Sequence, residues 1–152
     1  MLLTILLFCN FHGYSQNLMS TPIRKMDGRK KGVYLDQSIV YGGKRGTTGS
    51  ITAIRGSFNT KEQYERLVFD LSSKIPPYIY SYLKGNKLYI DFFELTLPKN
   101  FSNLGGGQLV KNIKFYTLDK GHLSAEVSFK ENVKFDIFFL KDPVRLVVDI
   151  KK

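Results

Sequence analysis

Histidine and cysteine, which most metal-dependent and nucleophilic chemistry requires, are nearly absent from the sequence. Its 152 residues include one cysteine, Cys9, and two histidines, His12 and His122. A single cysteine excludes both a disulfide within the chain and a cysteine-based zinc site. As a general base, His122 would need a nucleophile and an orienting partner, and it follows the turn-forming Lys120-Gly121 pair. The sequence therefore predicts a protein that is not an enzyme, with no catalytic residue, metal site or cofactor.

Alternating tyrosines are the strongest candidates for ligand binding. Tyr78, Tyr80 and Tyr82 would project from one face of a sheet, while the aliphatic residues between them point to the other. By the same alternation, Tyr89 lies on the outward face of the next predicted strand. Flat aromatic rings stack on sugar rings, so these four tyrosines predict a carbohydrate-binding face. The alternative is that they cover core edges or pair across strands.

Three arginines are candidates for contact with a carboxylate or a phosphate. Arg66 and Arg145 project from neighbouring β-strands in the motifs of the two halves, and Arg55 lies near the start of the first strand of the domain. The guanidinium group binds both kinds of anion in a two-pronged geometry. The equally weighted alternative is that all three arginines form ordinary surface ion pairs.

Positive charge is concentrated in the first third of the chain. There are 23 Lys and Arg residues against 13 Asp and Glu residues, a formal net charge of +10. Residues 20–56 hold eight of the basic and two of the acidic residues, a net +6. Residues 16–49 are also rich in glycine, so we expect a flexible basic arm that attracts an anionic partner, or alternatively an ordinary solvated tail. Its candidate contact residues are Arg24, Lys25, Arg29, Lys30, Lys31, Lys44 and Arg45.

The first fifteen residues have the pattern of a secretory signal peptide. Met1–Phe8 is an uncharged apolar run, far shorter than the ~20 residues that a membrane-spanning helix needs. Gly13 and Ser15 are small residues placed for cleavage after Ser15, although no basic residue precedes the apolar run. The alternatives are a buried N-terminal strand and lipid attachment at Cys9, where Phe8 occupies a position usually held by a small residue. We expect export, and no transmembrane segment in the mature chain.

From Ser50 onward, short apolar segments of period two predict an all-β domain over residues 50–152. A shift of about 58 residues superposes its two halves, so that Leu67, Phe69 and Leu71 fall on Ala125, Val127 and Phe129. Each half would contribute four strands. A sheet with one apolar face must bury that face, which predicts a β-sandwich of two symmetry-related, roughly four-stranded sheets.

Two segments of the chain resemble the AMIN domain. Glu65–Ser72, followed by a proline and a tyrosine-rich strand, is similar to the first half of that domain. Phe139–Ile150 is similar to its strand-turn-strand element, and the resemblance covers roughly residues 50–150. Members of the family are periplasmic modules of N-acetylmuramoyl-L-alanine amidases and of type IV pilus secretins. The resemblance implies two symmetry-related sheets and localisation of a host protein through binding to peptidoglycan or other envelope components.

Together these features predict a non-catalytic module of the periplasm or cell envelope that binds peptidoglycan, another envelope polysaccharide or an associated anionic polymer. The alternative is an adaptor that binds envelope proteins, such as a secretin or a cell-wall amidase. The charge and the interleaved aromatic residues would also suit nucleic acid. Export and the lack of a recognised nucleic-acid motif argue against that third class, so no nucleic-acid partner is expected.

Overall fold

The computed structural model describes residues 20–25, 32–118 and 121–152. The predicted signal peptide, Cys9 and the arm residues Arg29, Lys30 and Lys31 lie outside these ranges. The described chain is all-β, as predicted, and contains no α-helix. Its strands are β1 (Ser20–Pro22), β2 (Arg24–Lys25), β3 (Ile39–Gly42), β4 (Gly49–Asn59), β5 (Tyr64–Leu71), β6 (Ile79–Lys84), β7 (Lys87–Phe92), β8 (Leu95–Thr96), β9 (Val110–Leu118), β10 (His122–Phe129), β11 (Lys134–Leu140) and β12 (Arg145–Lys151).

The strands form two mixed sheets of six strands each. The first sheet has the order β1-β3-β6-β7-β10-β9, and the second has the order β2-β11-β12-β5-β4-β8. Neighbours are antiparallel except for the short strands β1, β2 and β8, which pair in parallel with β3, β11 and β4. The two sheets are therefore larger than the four-stranded sheets expected from the sequence, because short flanking strands extend them.

The apolar faces of the two sheets meet in one core. Phe69 of the second sheet packs against Phe92 of the first, with ring centroids 5.6 Å apart. Phe129, Phe135 and Phe139 are also fully buried. Each such side chain contributes about 1.5–3 kcal/mol when it is removed from water. Period-two alternation separates buried from outward side chains in β5 and β7, whereas nearly every residue of β10, β11 and β12 is buried.

The predicted repeat relates β6 to β11, β7 to β12, β10 to β5 and β9 to β4. The central strands of the first sheet have the order β6-β7-β10-β9. If each of them is replaced by its counterpart in the other half of the chain, the order becomes β11-β12-β5-β4, which is the order found in the second sheet. Each half of the chain therefore places two strands in one sheet and two in the other. The strands that join the halves, β7 with β10 and β12 with β5, are antiparallel neighbours in both sheets.

The pairing register repeats as well. Ile90 of β7 is opposite Ala125 of β10, and the residues 58 positions away, Val148 and Leu67, are opposite each other in β12 and β5. Each half also carries a β-bulge, and the two bulges lie 59 residues apart. Thr52 is the extra residue in β4 beside β5, and Lys111 is the extra residue in β9 beside β10.

Residues 20–25 and 39–42 differ from the expected flexible arm, because they form strands of the two sheets. β3 pairs with β6, β1 pairs with β3, and β2 pairs with β11. Ile23 is 7% exposed and Val40 is 2% exposed, so both belong to the core. These short strands cover the backbone edges of β6 and β11, which would otherwise carry unpaired N–H and C=O groups. The folded domain thus includes described residues that precede Ser50.

Candidate functional site

The outward surface of the first sheet carries two rows of polar and aromatic side chains. In one row, β-pairing places Tyr41 beside Tyr80, Tyr80 beside Asp91, Asp91 beside Ser124, and Ser124 beside Tyr116. Residues directly opposite one another in neighbouring strands share a face. The register therefore brings residues from five strands onto one surface.

The second row runs parallel to the first, one step along the strands. Tyr82 is opposite Tyr89, Tyr89 is opposite Glu126, and Glu126 is opposite Lys114. Five tyrosines of the two rows define what we call the tyrosine face: Tyr41, Tyr80, Tyr82, Tyr89 and Tyr116.

Three rings of the tyrosine face lie in contact. Tyr82 and Tyr89 stack with centroids 5.0 Å apart and planes 15° apart, and Tyr80 is tilted against Tyr82 at 6.0 Å. These three rings are half-buried. Tyr41 and Tyr116, at the two sides of the face, are 36% and 45% exposed. Tyr82 and Tyr89 thus pair across strands, as one interpretation of the sequence had it, and the rings of the face still present surface to solvent.

Two carboxylates lie among these rings. The Ser124 hydroxyl donates a hydrogen bond to Asp91 at 2.6 Å, and the Lys87 ammonium lies 3.0 Å from Glu126. The hydrogen bond from Lys87 lowers the pKa of Glu126, which remains ionised at neutral pH. Partial burial and the nearby Asp91 charge raise the pKa of Tyr82, so its hydroxyl remains a hydrogen-bond donor.

A cleft of about 690 Å³ opens beside Tyr80 and Tyr82, at the end of β6. Its aromatic wall faces loops that carry the exposed polar residues Asp36, Gln37 and Asn132. The remaining lining residues are Ser38, Ile39, Leu83, Lys84, Gly85 and Val133. The tight β6–β7 turn forms one edge of the cleft, where Gly85 adopts a φ of +59° that suits glycine. The cleft therefore combines stacking surface with hydrogen-bonding groups.

Tyr78, the remaining predicted tyrosine, belongs to a separate aromatic cluster at the start of β6. Its ring packs edge-on against Phe93 at 5.2 Å, and the Arg45 guanidinium lies 4.4 Å from its centroid. Phe93 in turn contacts the His122 ring at 4.9 Å. Tyr78 and Arg45 thus stabilise each other through a cation–π contact, and His122 lies in an aromatic contact near the turn.

The three candidate arginines do not join the tyrosine face. Arg55 binds Asp70 through two hydrogen bonds of 2.8 and 2.6 Å, and Arg66 binds Asp149 through two of 2.6 and 2.7 Å. The hydrogen bonds that Arg66 donates to Asp149 raise the pKa of Arg66. Arg145 donates to the backbone carbonyl of its own hairpin turn at 3.3 Å. All three lie on the second sheet or its neighbouring turn, where two of them form the ion pairs that were the alternative to ligand binding.

The described basic residues of the expected arm have different surroundings. Arg24 forms an ion pair with the buried Asp136 at 2.5 Å. Lys25 and Lys44 line a small cavity at the opposite end of β6 from the cleft. Arg45 lies over Tyr78, as described above. These side chains are thus distributed over the folded domain, and they do not form one contact surface.

Comparison with known proteins identified no similar protein. No protein-family model matches the chain, and no curated protein or solved structure is similar enough to count as a match. Within residues 20–25, 32–118 and 121–152, no helix has the length and apolar character needed to cross a membrane.

Several residues of the site were not found from the sequence. Tyr41, Tyr116 and Glu126 join the tyrosine face only because of the strand order β3-β6-β7-β10-β9. Asp36 and Asn132 reach the cleft from loops that carry no strand pattern. The one available signal was the spacing of Lys114 and Tyr116, which are two residues apart and therefore share one outward face of the strand.

Proposed function

We propose that this protein is a non-catalytic module, exported to the cell envelope, that binds peptidoglycan or an anionic polymer associated with it. The observation that carries the proposal is the cleft of about 690 Å³ along Tyr80 and Tyr82, continuous with the half-exposed tyrosine face. Clefts of about 300–1,000 Å³ that combine aromatic walls with a few polar groups are typical of small-ligand sites. A short glycan segment fits that description.

The chemistry of the face suits a sugar. The apolar side of a sugar ring packs on flat aromatic surfaces, which Tyr80 and Tyr82 offer along the wall of the cleft. Sugar hydroxyls both donate and accept hydrogen bonds, and Asp36, Gln37 and Asn132 can satisfy them. Rings already stacked on one another lose little conformational freedom on binding, which favours recognition by a preformed surface.

The proposal extends to the architecture and to the family. We propose a duplicated domain whose central strands form two symmetry-related four-stranded sheets, as in the AMIN resemblance. Its support is the matched strand order, the matched β7–β10 and β12–β5 registers, and the bulge that each half carries, at Thr52 and at Lys111. Residues 50–152 would then be the AMIN-like unit, extended by the preceding strands, and residues 1–15 its export signal.

Co-sedimentation with purified, protein-free peptidoglycan tests the proposed function. We expect the full chain to pellet with peptidoglycan at both low and high salt, and Tyr80→Ala combined with Tyr82→Ala to abolish pelleting. Tyr64→Ala, on the second sheet, is the matched control and should pellet like the parent chain. Absence of pelleting at every salt concentration, or equal loss with Tyr64→Ala, would contradict the proposal.

An adaptor function is the second candidate, and the edge strand β9 favours it. In the described residues β9 pairs only with β10, and it exposes Tyr116 and Leu118, the latter 46% exposed. An exposed edge can accept a strand from a partner protein. Pelleting with envelope material that retains its proteins, but not with protein-free peptidoglycan, would favour this function. Thr117→Pro should then abolish that pelleting, because proline lacks the N–H that edge pairing needs.

A further inference from the structure

A second cavity, at the end of β6 opposite the cleft, is lined mainly by lysines. Its volume is about 240 Å³. The charged side chains that line it are Lys25, Lys44, Lys74, Lys141 and Asp142. They come from four separate places in the chain: the end of β2, the segment after β3, the β5–β6 connection and the β11–β12 turn. We name this cavity the lysine cavity.

The backbone around the lysine cavity is held in place by close contacts. The Lys44 N–H donates a hydrogen bond to the Pro76 carbonyl at 2.9 Å, and Lys25 pairs with Phe139 of β11. Gly43 has a φ of +91°, and any Cβ at this position would collide with the Pro77 carbonyl. The convergence of the lysines therefore follows from fixed strand ends.

The charges of the lysine cavity are unbalanced. Lys25, Lys44 and Lys74 line the cavity together with one acidic residue, Asp142. Among the described residues, no ion pair neutralises Lys25, Lys44 or Lys74. Like charges that converge on a concave surface repel each other and raise the local concentration of anions. An anion in the cavity would relieve that repulsion.

We propose that the lysine cavity binds a phosphate group. Lysine presents a compact positive charge with three donors, which suits a doubly charged tetrahedral anion better than a single planar carboxylate. Since a water molecule occupies about 30 Å³ in the liquid, the cavity has room for a phosphate together with part of the molecule that carries it. This inference does not rest on glycan binding, because the cavity and the cleft lie at opposite ends of β6.

Calorimetric titration of the full chain at constant ionic strength tests the inference, with inorganic phosphate and glycerol phosphate as probes. We expect saturable binding that Lys44→Gln combined with Lys74→Gln weakens about tenfold or more, since each lysine contributes directly to the attraction. Lys99→Gln combined with Lys111→Gln removes the same charge from exposed positions elsewhere and should change the affinity less than twofold. Both variants should keep the thermal midpoint of the parent chain.

Three results would overturn the inference: no saturable phosphate binding, equal weakening in the two double variants, or acetate binding as tight as phosphate binding. A second experiment, which measures binding of the chain to phosphatidylglycerol vesicles, identifies the source of the phosphate. Vesicle binding that is lost in the Lys44/Lys74 variant supports a lipid headgroup, and binding of glycerol phosphate alone supports a soluble or polymeric phosphate. Peptidoglycan pelleting of the same variant should remain normal, which separates this site from the tyrosine face.

Discussion

A buried carboxylate that holds the glycine-rich loop gives the sharpest test of how this fold is stabilised. Glu65 lies on the inward side of β5 and is 2% exposed. Its carboxylate accepts hydrogen bonds from the backbone N–H groups of Leu109 at 2.5 Å and Val110 at 3.0 Å. A Cβ at Gly107 would lie on the same carboxylate. Glu65 therefore anchors the loop to the sheet, and its carboxylate leaves no room for a side chain at residue 107.

The magnitude follows from these contacts. Hydrogen bonds to a charged group contribute about 1.5–3 kcal/mol each, and removal of the carboxylate recovers part of its desolvation cost. We expect Glu65→Ala to lower the free energy of unfolding by about 3 kcal/mol. In a chain of this length that corresponds to a thermal midpoint lower by about 6–12 °C. Gly107→Ala should cost nearly as much, because the new methyl group must displace the carboxylate from both N–H groups.

The double variant decides whether this explanation is correct. Once Glu65 is alanine, the Gly107→Ala methyl group has no carboxylate to displace, so the double variant should cost little more than Glu65→Ala alone. The free energies, measured by urea denaturation, should then be non-additive by about 2 kcal/mol. Gly105→Ala is the control, since a Cβ there meets nothing within 4 Å. Additivity within about 0.5 kcal/mol, or an equal cost for Gly105→Ala, would refute the reasoning.

Three further predictions concern pH and backbone conformation. Burial and nearby carboxylates raise the pKa of Tyr34 to about 12, so the stability from its neutral form is complete below pH 10 and is lost as pH rises through 12; Tyr34→Phe should remove the most alkaline tyrosine transition at 295 nm. The hydrogen bond from Lys87 lowers the pKa of Glu126, so the stability that ionised Glu126 contributes is present at neutral pH and is lost as pH falls through that lowered pKa. In Glu126→Gln, the midpoint of urea denaturation should therefore decrease less at acid pH than it does in the parent chain. Gly43→Ala should cost about 2–4 kcal/mol in urea denaturation, and more than Gly46→Ala, because both glycines have positive φ but only Gly43 meets a backbone carbonyl.

The strands β5 and β7 were predictable because each buries a simple alternating pattern, whereas nearly every residue of β10, β11 and β12 is buried. Leu67, Phe69 and Leu71 are all buried in β5, as the alternation indicates. Alternation does not indicate which strands become neighbours, however. Each half of the chain contributes two strands to each sheet, and that arrangement depends on the whole chain.

Short strands and loops were the parts that the sequence could not predict. Ile23 and Val40 each stand almost alone among polar and basic residues, so no period marks them. They are buried because β11 and β6 offer backbone edges for pairing. The cleft depends on the same kind of information, since Asp36 and Asn132 approach Tyr80 only in the folded chain.

The repeat also explains why a binding site would occupy one outward surface and not the other. Positions related by the repeat carry different side chains on the two sheets: Tyr80 corresponds to Phe138, and Tyr89 corresponds to Val147. Phe138 is 4% exposed and Val147 is fully buried, in a small apolar cluster with Val68 and Leu140. The same strand order thus supports a covered apolar surface on the second sheet and half-exposed tyrosines on the first. If tyrosines were needed only to complete the fold, the covered arrangement would serve at both places. Rings that remain accessible beside a cleft are the observation on which the proposed ligand binding rests.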